Sequence, residues 1–353
     1  MSLLALVSSS RFADHVTPPG HPERVERADV LEHTADVWRE SGGTVLAPRP
    51  ATREELARVH DGAYIDAIEG TRGHAVMLDP DTYTSPETAA VAALAAGAAL
   101  TALEWVLGER TFQSPTQAAG PRRALALVRP PGHHTEAGRA MGFCFYNNVA
   151  VAAAAALARG LSRVAIVDYD VHHGNGTQHS FYGDPRVLFV STHQYPFYPG
   201  TGAATERGEG DGTGYTVNVP LESGSTDGDY DVVFARVVEP VLDQFEPELL
   251  LVSAGFDAHA ADPIAHMRMS AAGFAAITRR LRNAADRHCG GRLVAVTEGG
   301  YELGALRQSL AAAVGVLAGR DDEPKAALSA PTGRGEAGVQ AVRAAQGARW
   351  RGL

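Results

Sequence analysis

The sequence is poor in cysteine and in lysine. Only Cys144 and Cys289 occur among its 353 residues, so a disulfide framework and a cysteine-rich zinc site are both excluded. Lysine is scarce, arginine supplies most of the positive charge, and the net charge is −10. Since no basic stripe is present, we expect no nucleic-acid partner. The hydrophobic share of 45% is ordinary for a globular protein with a large core.

Long apolar runs are the second feature that we find missing. We expect no run to approach the roughly 20 residues that a membrane span requires. The short apolar segment at the start, Leu3–Val7, has no basic residues before it, so it predicts a first strand rather than a signal peptide. We therefore expect a soluble, cytoplasmic protein without a membrane partner. The sequence leaves the oligomeric state open, and a homo-oligomer is compatible with it.

The stretch from Ile166 to Gly176 organises the chain. It begins in the β-branched apolar run Arg163–Val167, which predicts a strand buried on both faces. Asp168, Asp170 and His172 then alternate with other residues, and alternate residues of an extended chain share a face. Two carboxylates and an imidazole on one face predict a site for a divalent cation. The alternative is a polar strand end followed by a histidine-rich turn.

Apolar strands alternate with helices along much of the chain, which predicts an α/β fold with a doubly wound sheet. Nothing marks a domain boundary, so we expect one domain over residues 1–353. Loops are predicted at 78–86, 110–120 and 321–336. The predicted strands are 3–7, 124–128, 163–167, 187–191, 215–219, 249–253 and 293–297, and the predicted helices are 54–59, 62–69, 87–107, 148–158, 229–245, 270–285 and 303–317.

Polar clusters follow the carboxyl ends of these strands. Ligands bind at this edge of open parallel sheets, where residues distant in sequence converge. The clusters are His133 with His134, Asp168 with Asp170 and His172, His193, Asp257 and Tyr301.

These clusters contain the parts of a hydrolytic site. Asp170, His172 and Asp257 make three ligands, and three protein ligands plus water is the pattern of catalytic zinc. Carboxylate-rich ligation also suits Fe²⁺, Co²⁺ or Mn²⁺. His133 and His134 offer general acid–base groups. Asp168 is placed to orient one of these imidazoles, and Asn175 the other.

Other residues suggest how a substrate is held, although each has a structural alternative. Tyr301 can donate its hydroxyl to an oxyanion, and Phe143 and Tyr198 can form the walls of a slot for an alkyl chain. Ordinary core packing is as good an interpretation of either aromatic loop alone. Cys144, inside an apolar segment, is expected to be a buried inert thiol. Arg24 and Arg27 can bind a buried anion or pair with acidic neighbours, and we favour the pairing.

Six ordered motifs resemble the histone deacetylase superfamily, which includes bacterial histone deacetylase-like amidohydrolases, acetylpolyamine amidohydrolases and acetoin utilisation proteins. The resemblance runs from about residue 15 to residue 317. It implies a single-domain arginase/deacetylase fold with an eight-stranded, mainly parallel sheet flanked by helices. It also implies metal-dependent hydrolysis of the amide of an acylated primary amine. The motifs are RPPGHH at 129–134, MGFCFYNN at 141–148, DYDVHHGNGTQ at 168–178, STHQ with PGTG at 191–202, DAHAADP at 257–263 and EGGY at 298–301.

The resemblance also implies a role for individual residues. Asp170, His172 and Asp257 match the zinc ligands of the family, and His134 matches its general base and acid. The remaining matches are His133 as the second catalytic histidine, Tyr301 as the group that polarises the acyl carbonyl, Phe143 and Tyr198 as tunnel walls, Gly142 as tunnel backbone, Arg24 beside an acetate channel, Asp168, Asp170, His172, Ser191 and Thr192 around a structural K⁺, and Phe181, Val187 and Tyr215 near a second K⁺.

Three positions bear on the branch and the substrate. Asn175 resembles the class II-like and bacterial branch, and Ile264 stands where the polyamine-selective branch can carry an acidic residue. Asp81 is a candidate to bind a substrate cation or a backbone amide. The substrate is therefore open between acyl-lysine, acetylpolyamine and other small amides. An arginase-like ureohydrolase would need extra carboxylates for two manganese ions, and an inactive acyl-lysine reader predicts a broken catalytic set.

Overall fold

The computed structural model describes residues 3–109, 121–320 and 327–353. The predicted loop at 110–120 and residues 321–326 of the predicted loop at 321–336 therefore lie outside the described residues. The strands of the described part are β1 (Leu3–Val7), β2 (Thr44–Leu46), β3 (Met77–Asp79), β4 (Thr82–Tyr83), β5 (Arg122–Ala126), β6 (Val164–Asp168), β7 (Val187–Gln194), β8 (Thr216–Leu221), β9 (Leu249–Ala254) and β10 (Leu293–Thr297). Its α-helices are α1 (Glu26–Glu40), α2 (Arg53–Leu56), α3 (Gly62–Glu69), α4 (Thr88–Leu107), α5 (Asn148–Ala158), α6 (Asn175–Ser180), α7 (Asp227–Val233), α8 (Glu239–Phe245), α9 (Ala271–His288), α10 (Leu303–Leu317) and α11 (Arg334–Gln346).

Eight strands form one sheet in the order β2-β1-β5-β10-β9-β6-β7-β8, and each neighbouring pair is parallel. This confirms the expected α/β fold and the eight-stranded sheet. The strands are buried because helices cover both faces, as parallel sheets require. In β6, Ala165 and Val167 face one hydrophobic core while Val164 and Ile166 face the other, which is the period of two expected for a strand.

Each face of the sheet has its own layer of helices. The first core contains Leu31 of α1, Tyr230 of α7 and Phe274 of α9. The second contains Ile65 of α3 and many small side chains of α4 and α5. The alanine-rich helices lie close to the sheet because they carry little side-chain bulk between the two backbones.

Helix α4 corrects the expectation that no apolar run is long enough to cross a membrane. Within the described ranges, it is the one helix whose length and composition meet that test. Its 18-residue apolar window is 89% buried inside the protein. Because the helix is apolar on all sides and packed on all sides, it has the properties of a core helix.

Several element boundaries differ from those predicted. Strand β5 begins two residues before the predicted 124–128, and α9 continues beyond 285 to His288. The predicted helix 229–245 is α7 and α8 joined by a π-helical turn at Phe234–Val238. The hairpin of β3 and β4 occupies the predicted loop at 78–86, and strands of three and two residues are too short to show a periodic pattern. Helix α11 begins inside the last three residues of the predicted loop at 321–336.

Asp229 fastens the last helix to the rest of the fold. Its buried carboxylate accepts hydrogen bonds from both the amide and the hydroxyl of Thr226, at 3.0 Å each. It also accepts the amide and hydroxyl of Thr332, at 2.9 and 2.8 Å, and the amide of Gly335 at 3.0 Å. Burial alone would raise the pKa of Asp229, but these donors outweigh burial and lower the pKa to about 2.

We predict that Asp229→Ala destabilises the protein, because it leaves several buried donors without an acceptor. The free energy of unfolding in denaturant at pH 7 should fall by about 1–3 kcal/mol. The folded-state pKa is depressed, so this stabilisation is complete above the unfolded pKa of about 4 and is lost as the pH falls toward 2. The difference between parent and variant should therefore shrink below pH 4.

The matched control for this substitution is Asp231→Ala. Asp231 lies two residues away and pairs with Arg280 at 2.8 Å in a partly exposed position, where an ion pair contributes about 0–1 kcal/mol. Equal losses of stability in the two variants would contradict the role assigned to Asp229.

Candidate active site

The candidate residues converge because they end or follow four strands that are neighbours in the sheet. In the sheet, β5, β10, β9 and β6 lie side by side, and all four are parallel, so their carboxyl ends share one edge. His133 and His134 follow β5, Tyr301 follows β10, and Asp257 follows β9. Asp168 ends β6, and Asp170 and His172 come directly after it.

Asp170, His172 and Asp257 form a compact, buried donor group. Nδ1 of His172 lies 3.2 Å from Oδ1 of Asp170 and 3.2 Å from Oδ2 of Asp257. The three donor atoms all lie within 4.8 Å of one another. Two ligands bound tetrahedrally at zinc distances would be about 3.4 Å apart, so the arrangement fits a small divalent cation.

The two carboxylate oxygens of Asp257 differ in their contacts with the backbone. Oδ1 of Asp257 accepts the amide of Val171 at 2.9 Å, whereas its buried Oδ2 accepts no well-directed hydrogen bond from the described residues. The amide of Gly299 donates to Oδ2 of Asp170 at 2.8 Å. A Cβ at Gly299 would lie 2.1 Å from Oδ2 of Asp257, so only glycine allows this close approach. The residues present therefore fit a bound cation.

His133 and His134 have opposite electrostatic environments, although their ring centroids are only 4.0 Å apart. Burial lowers the pKa of His133, but Asp168 and Asp170 outweigh burial and raise it to about 10. Nδ1 of His133 lies 2.9 Å from Oδ2 of Asp168. Burial, reinforced by the positive charges of His133 and His172, holds the pKa of His134 well below its ordinary value. His134 is therefore the neutral imidazole of the pair.

Asn175 fixes the tautomer of His134. Its Oδ1 lies 2.8 Å from Nδ1 of His134, while its Nδ2 donates to the carbonyl of His134 at 3.2 Å and to Glu136. Because these contacts make Oδ1 the acceptor, Nδ1 of His134 carries the proton. Nε2 of His134 is then free to accept one, as a general base requires.

Tyr301 lies at the same edge with its hydroxyl protonated. Burial raises its pKa well above the ordinary value, and Asp257 adds to this effect. Its ring packs edge-on against Phe143, with centroids 5.8 Å apart, and the guanidinium of Arg27 lies 5.1 Å from the ring centroid. Arg24, the residue suggested by resemblance, is exposed and lines a cavity together with Tyr301, so its place beside an acetate channel stays a prediction.

Phe143 and Tyr198 lie beside these groups, and their role as tunnel walls stays a prediction. Tyr198 is 37% exposed, and its ring lies 5.2 Å from that of His134. Gly142 and Phe143 both have positive φ, at 58° and 69°. A Cβ at Gly142 would lie 2.4 Å from Cδ2 of His134, so glycine is required where the backbone passes this imidazole. Phe197, which the sequence did not single out, stacks on His172 at 5.3 Å.

These observations coincide with a clear family relationship. The model of the histone deacetylase domain matches residues 19–317. The chain belongs to the histone deacetylase family. Its fold is similar to the crystal structure of the HDA15 HD domain, with a TM-score of 0.88, 36% identity, and coverage of 99% of this chain and 95% of that one.

Relatives in the histone deacetylase family carry names that state different activities. A probable deacetylase of Archaeoglobus fulgidus is 41% identical over 90% of this chain and 86% of its own length. A histone deacetylase-like amidohydrolase of Pseudomonas aeruginosa is 42% identical over 81% of this chain and 74% of its own. The polyamine deacetylase HDAC10 of Homo sapiens is 38% identical over 93% of this chain and 50% of its own. Membership of this family shows that the protein is a hydrolase, but the names of its relatives do not settle which substrate it acts on.

Asp81 and Ile264, the two residues predicted to contact the distal part of a substrate, lie near Tyr301 and Phe143. Ile264 lines a cavity of about 510 Å³ together with His21 and Tyr301. Asp81 is half-buried, accepts the hydroxyl of Thr82 at 3.0 Å, and has a pKa raised by burial and by Asp79.

The residues predicted to bind K⁺ occupy two regions of this histone deacetylase-family fold, and all of them except the half-buried Tyr215 are buried. Thr192 on β7 lies beside Asp168 on β6, with its hydroxyl 3.5 Å from the carbonyl of Asp168, and Ser191 pairs with Asp168 across the sheet. In the second region the carbonyls of Phe181 and Tyr215 already accept amides of Asp184 and Phe189. Val187 begins β7 beside them. Binding of K⁺ at both regions stays a prediction.

Sequence reasoning missed two buried carboxylates that support the site. Oε2 of Glu298 accepts the amides of Gly132 and His133 at 2.6 and 3.2 Å, and so ties the end of β10 to the histidine loop. Glu23 binds Arg129 through two contacts, at 2.7 and 2.8 Å. The available indication was an acidic residue within an apolar or glycine-rich motif, but the partners Gly132, His133 and Arg129 lie more than 100 residues away from these carboxylates.

We predict that the triad binds one divalent cation and that Asp257→Ala weakens this binding on the order of 100-fold or more, since it removes a direct donor. Isothermal titration with Zn²⁺ should give one equivalent for the parent. Added Zn²⁺ should raise the parent's melting temperature but not that of the variant. Asp81→Ala, a carboxylate outside the triad, should keep the parent's affinity. A stoichiometry of two would contradict a single catalytic metal.

Proposed function

We propose that this protein is a zinc-dependent deacetylase that hydrolyses the amide of an acylated primary amine, such as acetyl-lysine, to a free amine and acetate. One observation carries this proposal: a buried Asp-His-Asp donor group, a neutral imidazole and a protonated tyrosine meet at one edge of the sheet. Water activation, proton transfer and oxyanion stabilisation are the three requirements of metal-assisted amide hydrolysis.

Each residue then has a distinct task. Asp170, His172 and Asp257 would hold a divalent cation, whose Lewis acidity would acidify water and polarise the acyl carbonyl. Nε2 of His134 takes a proton from the attacking water and returns it to the amine nitrogen when the carbon–nitrogen bond breaks. The hydroxyl of Tyr301 donates a hydrogen bond to the developing oxyanion.

His133 and the aromatic wall residues complete the mechanism. His133 stays protonated beside Asp168 and lowers the basicity of His134, so that His134 can release its proton to the amine. Phe143 and Tyr198 flank the acyl-bearing chain of the substrate. Zn²⁺ fits the mixed imidazole and carboxylate donors, and Fe²⁺ or Co²⁺ would fit them too. We further propose structural K⁺ at the two predicted regions and a cytoplasmic location.

Hydrolysis of acetylpolyamines is the second candidate function, because it needs the same active-site groups. The name of the human relative, polyamine deacetylase, favours that activity. Ile264 argues against it, because a polycationic amine gains nothing from an apolar residue at the rim. An arginase-like enzyme would need a second metal. Within the part of the chain that the structure describes, the Asp-His-Asp triad is the one group of three or more such donors close enough to share an ion. A reader without turnover is disfavoured because each catalytic group is in place.

We predict that His134→Ala lowers kcat by about 10²–10⁴-fold and that Tyr301→Phe lowers it by about 10²–10³-fold. The assay is turnover of an acetyl-lysine peptide by zinc-loaded protein, with a chelator control. Val37→Ser changes an exposed side chain on α1 and should keep full activity. Near-normal kcat in either active-site variant would remove the role given to that residue.

We predict that the parent prefers acetyl-lysine peptides to acetylputrescine and acetylspermidine, and that Ile264→Glu shifts this preference toward the polyamines. A new carboxylate facing a substrate cation should change the ratio of kcat/KM values by about tenfold, or about 1.4 kcal/mol. Ile264→Gln is the matched neutral control and should change the ratio little. A parent that already prefers acetylpolyamines would support the second candidate instead.

A further inference from the structure

The loop that carries Tyr301 depends on other segments for its hydrogen bonds. It joins β10 to α10 and turns at Gly300, where φ is 123°. Arg27 donates to the carbonyls of Glu298 and Gly300 at 2.6 and 2.8 Å, and Gly299 donates to Asp170. These bonds all join the loop to other segments, so we expect its external partners to determine where the hydroxyl of Tyr301 lies.

The amide of Tyr301 itself has a single anchor, the side chain of Asp262. It donates to Oδ2 of Asp262 at 2.7 Å. Asp262 is 8% exposed and lies in the loop after β9, five residues beyond the candidate ligand Asp257. Burial and the nearby Asp257 raise the pKa of Asp262 to about 7, and its Oδ2 accepts this amide whether or not the other oxygen carries a proton.

The second oxygen of Asp262 holds the rim of the cavity. Its Oδ1 accepts the amide of Ile264 at 3.1 Å, and the amide of Asp262 donates to the carbonyl of His259 at 2.9 Å. Tyr301 and Ile264 line the same cavity of about 510 Å³. One side chain therefore joins the backbone of the proposed oxyanion donor to the backbone of the proposed selectivity residue.

We propose that Asp262 is a positioning residue for catalysis, which sets the Tyr301 hydroxyl and the Ile264 rim relative to each other. This inference rests on the proposed deacetylase function. Asp262 does not reach the reacting atoms. It acts through Tyr301, because a shift of the hydroxyl by about 1 Å weakens the oxyanion contact on which the rate depends. Loss of such supporting contacts typically costs 10–100-fold in activity.

The test is Asp262→Asn, which keeps the size of the side chain but presents an amide group to one of the two N–H donors. We expect kcat for an acetyl-lysine peptide to fall 10–100-fold, with Zn²⁺ stoichiometry unchanged. KM for acetyl-lysine peptide and for acetylputrescine should change unequally, since the rim at Ile264 moves as well. Asp229→Asn changes a buried carboxylate that caps α7 and whose hydrogen-bond donors are Thr226, Thr332 and Gly335; it is the control and should leave kcat within about threefold.

A double-mutant cycle separates positioning from general destabilisation. In the Tyr301→Phe background the hydroxyl is gone, so Asp262→Asn should lower kcat by less than about threefold more. An equal loss in both backgrounds, or a single variant with parental kcat, would overturn the proposal.

Hydrogen exchange distinguishes failure of this inference from failure of the proposed function. If the parent hydrolyses none of the amides, the proposed function fails, and the anchor is then judged by exchange alone. The amides of residues 299–303 in metal-loaded protein should exchange at least tenfold faster in Asp262→Asn than in the parent, and unchanged exchange would overturn the anchor.

Discussion

Burial of negative charge at one edge of the sheet is the constraint on which the rest of the site depends. Asp168, Asp170 and Asp257 are each at most 1% exposed, and isolated carboxylates would be too costly to bury in this way. Each is compensated by imidazoles and by backbone amides of neighbouring loops. The cluster is stable only while these partners stay in place, and two of them, His133 and His172, are themselves candidate site residues.

The same buried charges give the two histidines different protonation states. His133 lies beside two carboxylates and is held in its protonated form, whereas His134 lies beside His133 and His172 and an uncharged amide, and stays neutral. Two identical side chains, adjacent in sequence, thus differ in charge, as the proposed roles of electrostatic support and base require. Asp168 and Asp170 raise the pKa of His133, whereas burial and the neighbouring imidazoles lower that of His134.

Loop positions depend on buried polar contacts between strand ends. Glu298 ties the histidine loop to the end of β10, Arg27 holds the carbonyls before Tyr301, and Asp262 holds its amide. Such contacts favour one loop conformation over others, because each buried donor left unpaired would lower the stability of the fold by about 1–3 kcal/mol. The sheet supplies a rigid edge, and these side chains determine how the irregular segments lie on it.

Local sequence determined much of the fold from β5 to α10. Apolar β-branched runs predicted the strands, and the polar residues after them were recognised as the candidate site because residue type and strand period are local properties. The N-terminal part was predicted less well. Strand β2 and the β3–β4 hairpin are short, and Arg24 and Arg27 lie so close in sequence that no local pattern shows which is buried.

By itself the sequence determined which side chains stand at the strand ends and, through its motifs, the family and its eight-stranded sheet. The tertiary structure decided that β5, β10, β9 and β6 are neighbours, that His134 rather than His133 is neutral, and that Asp262 joins Tyr301 to the rim. Strand order, protonation and anchoring depend on distances and burial between segments far apart in the chain, and these exist only once the chain has folded.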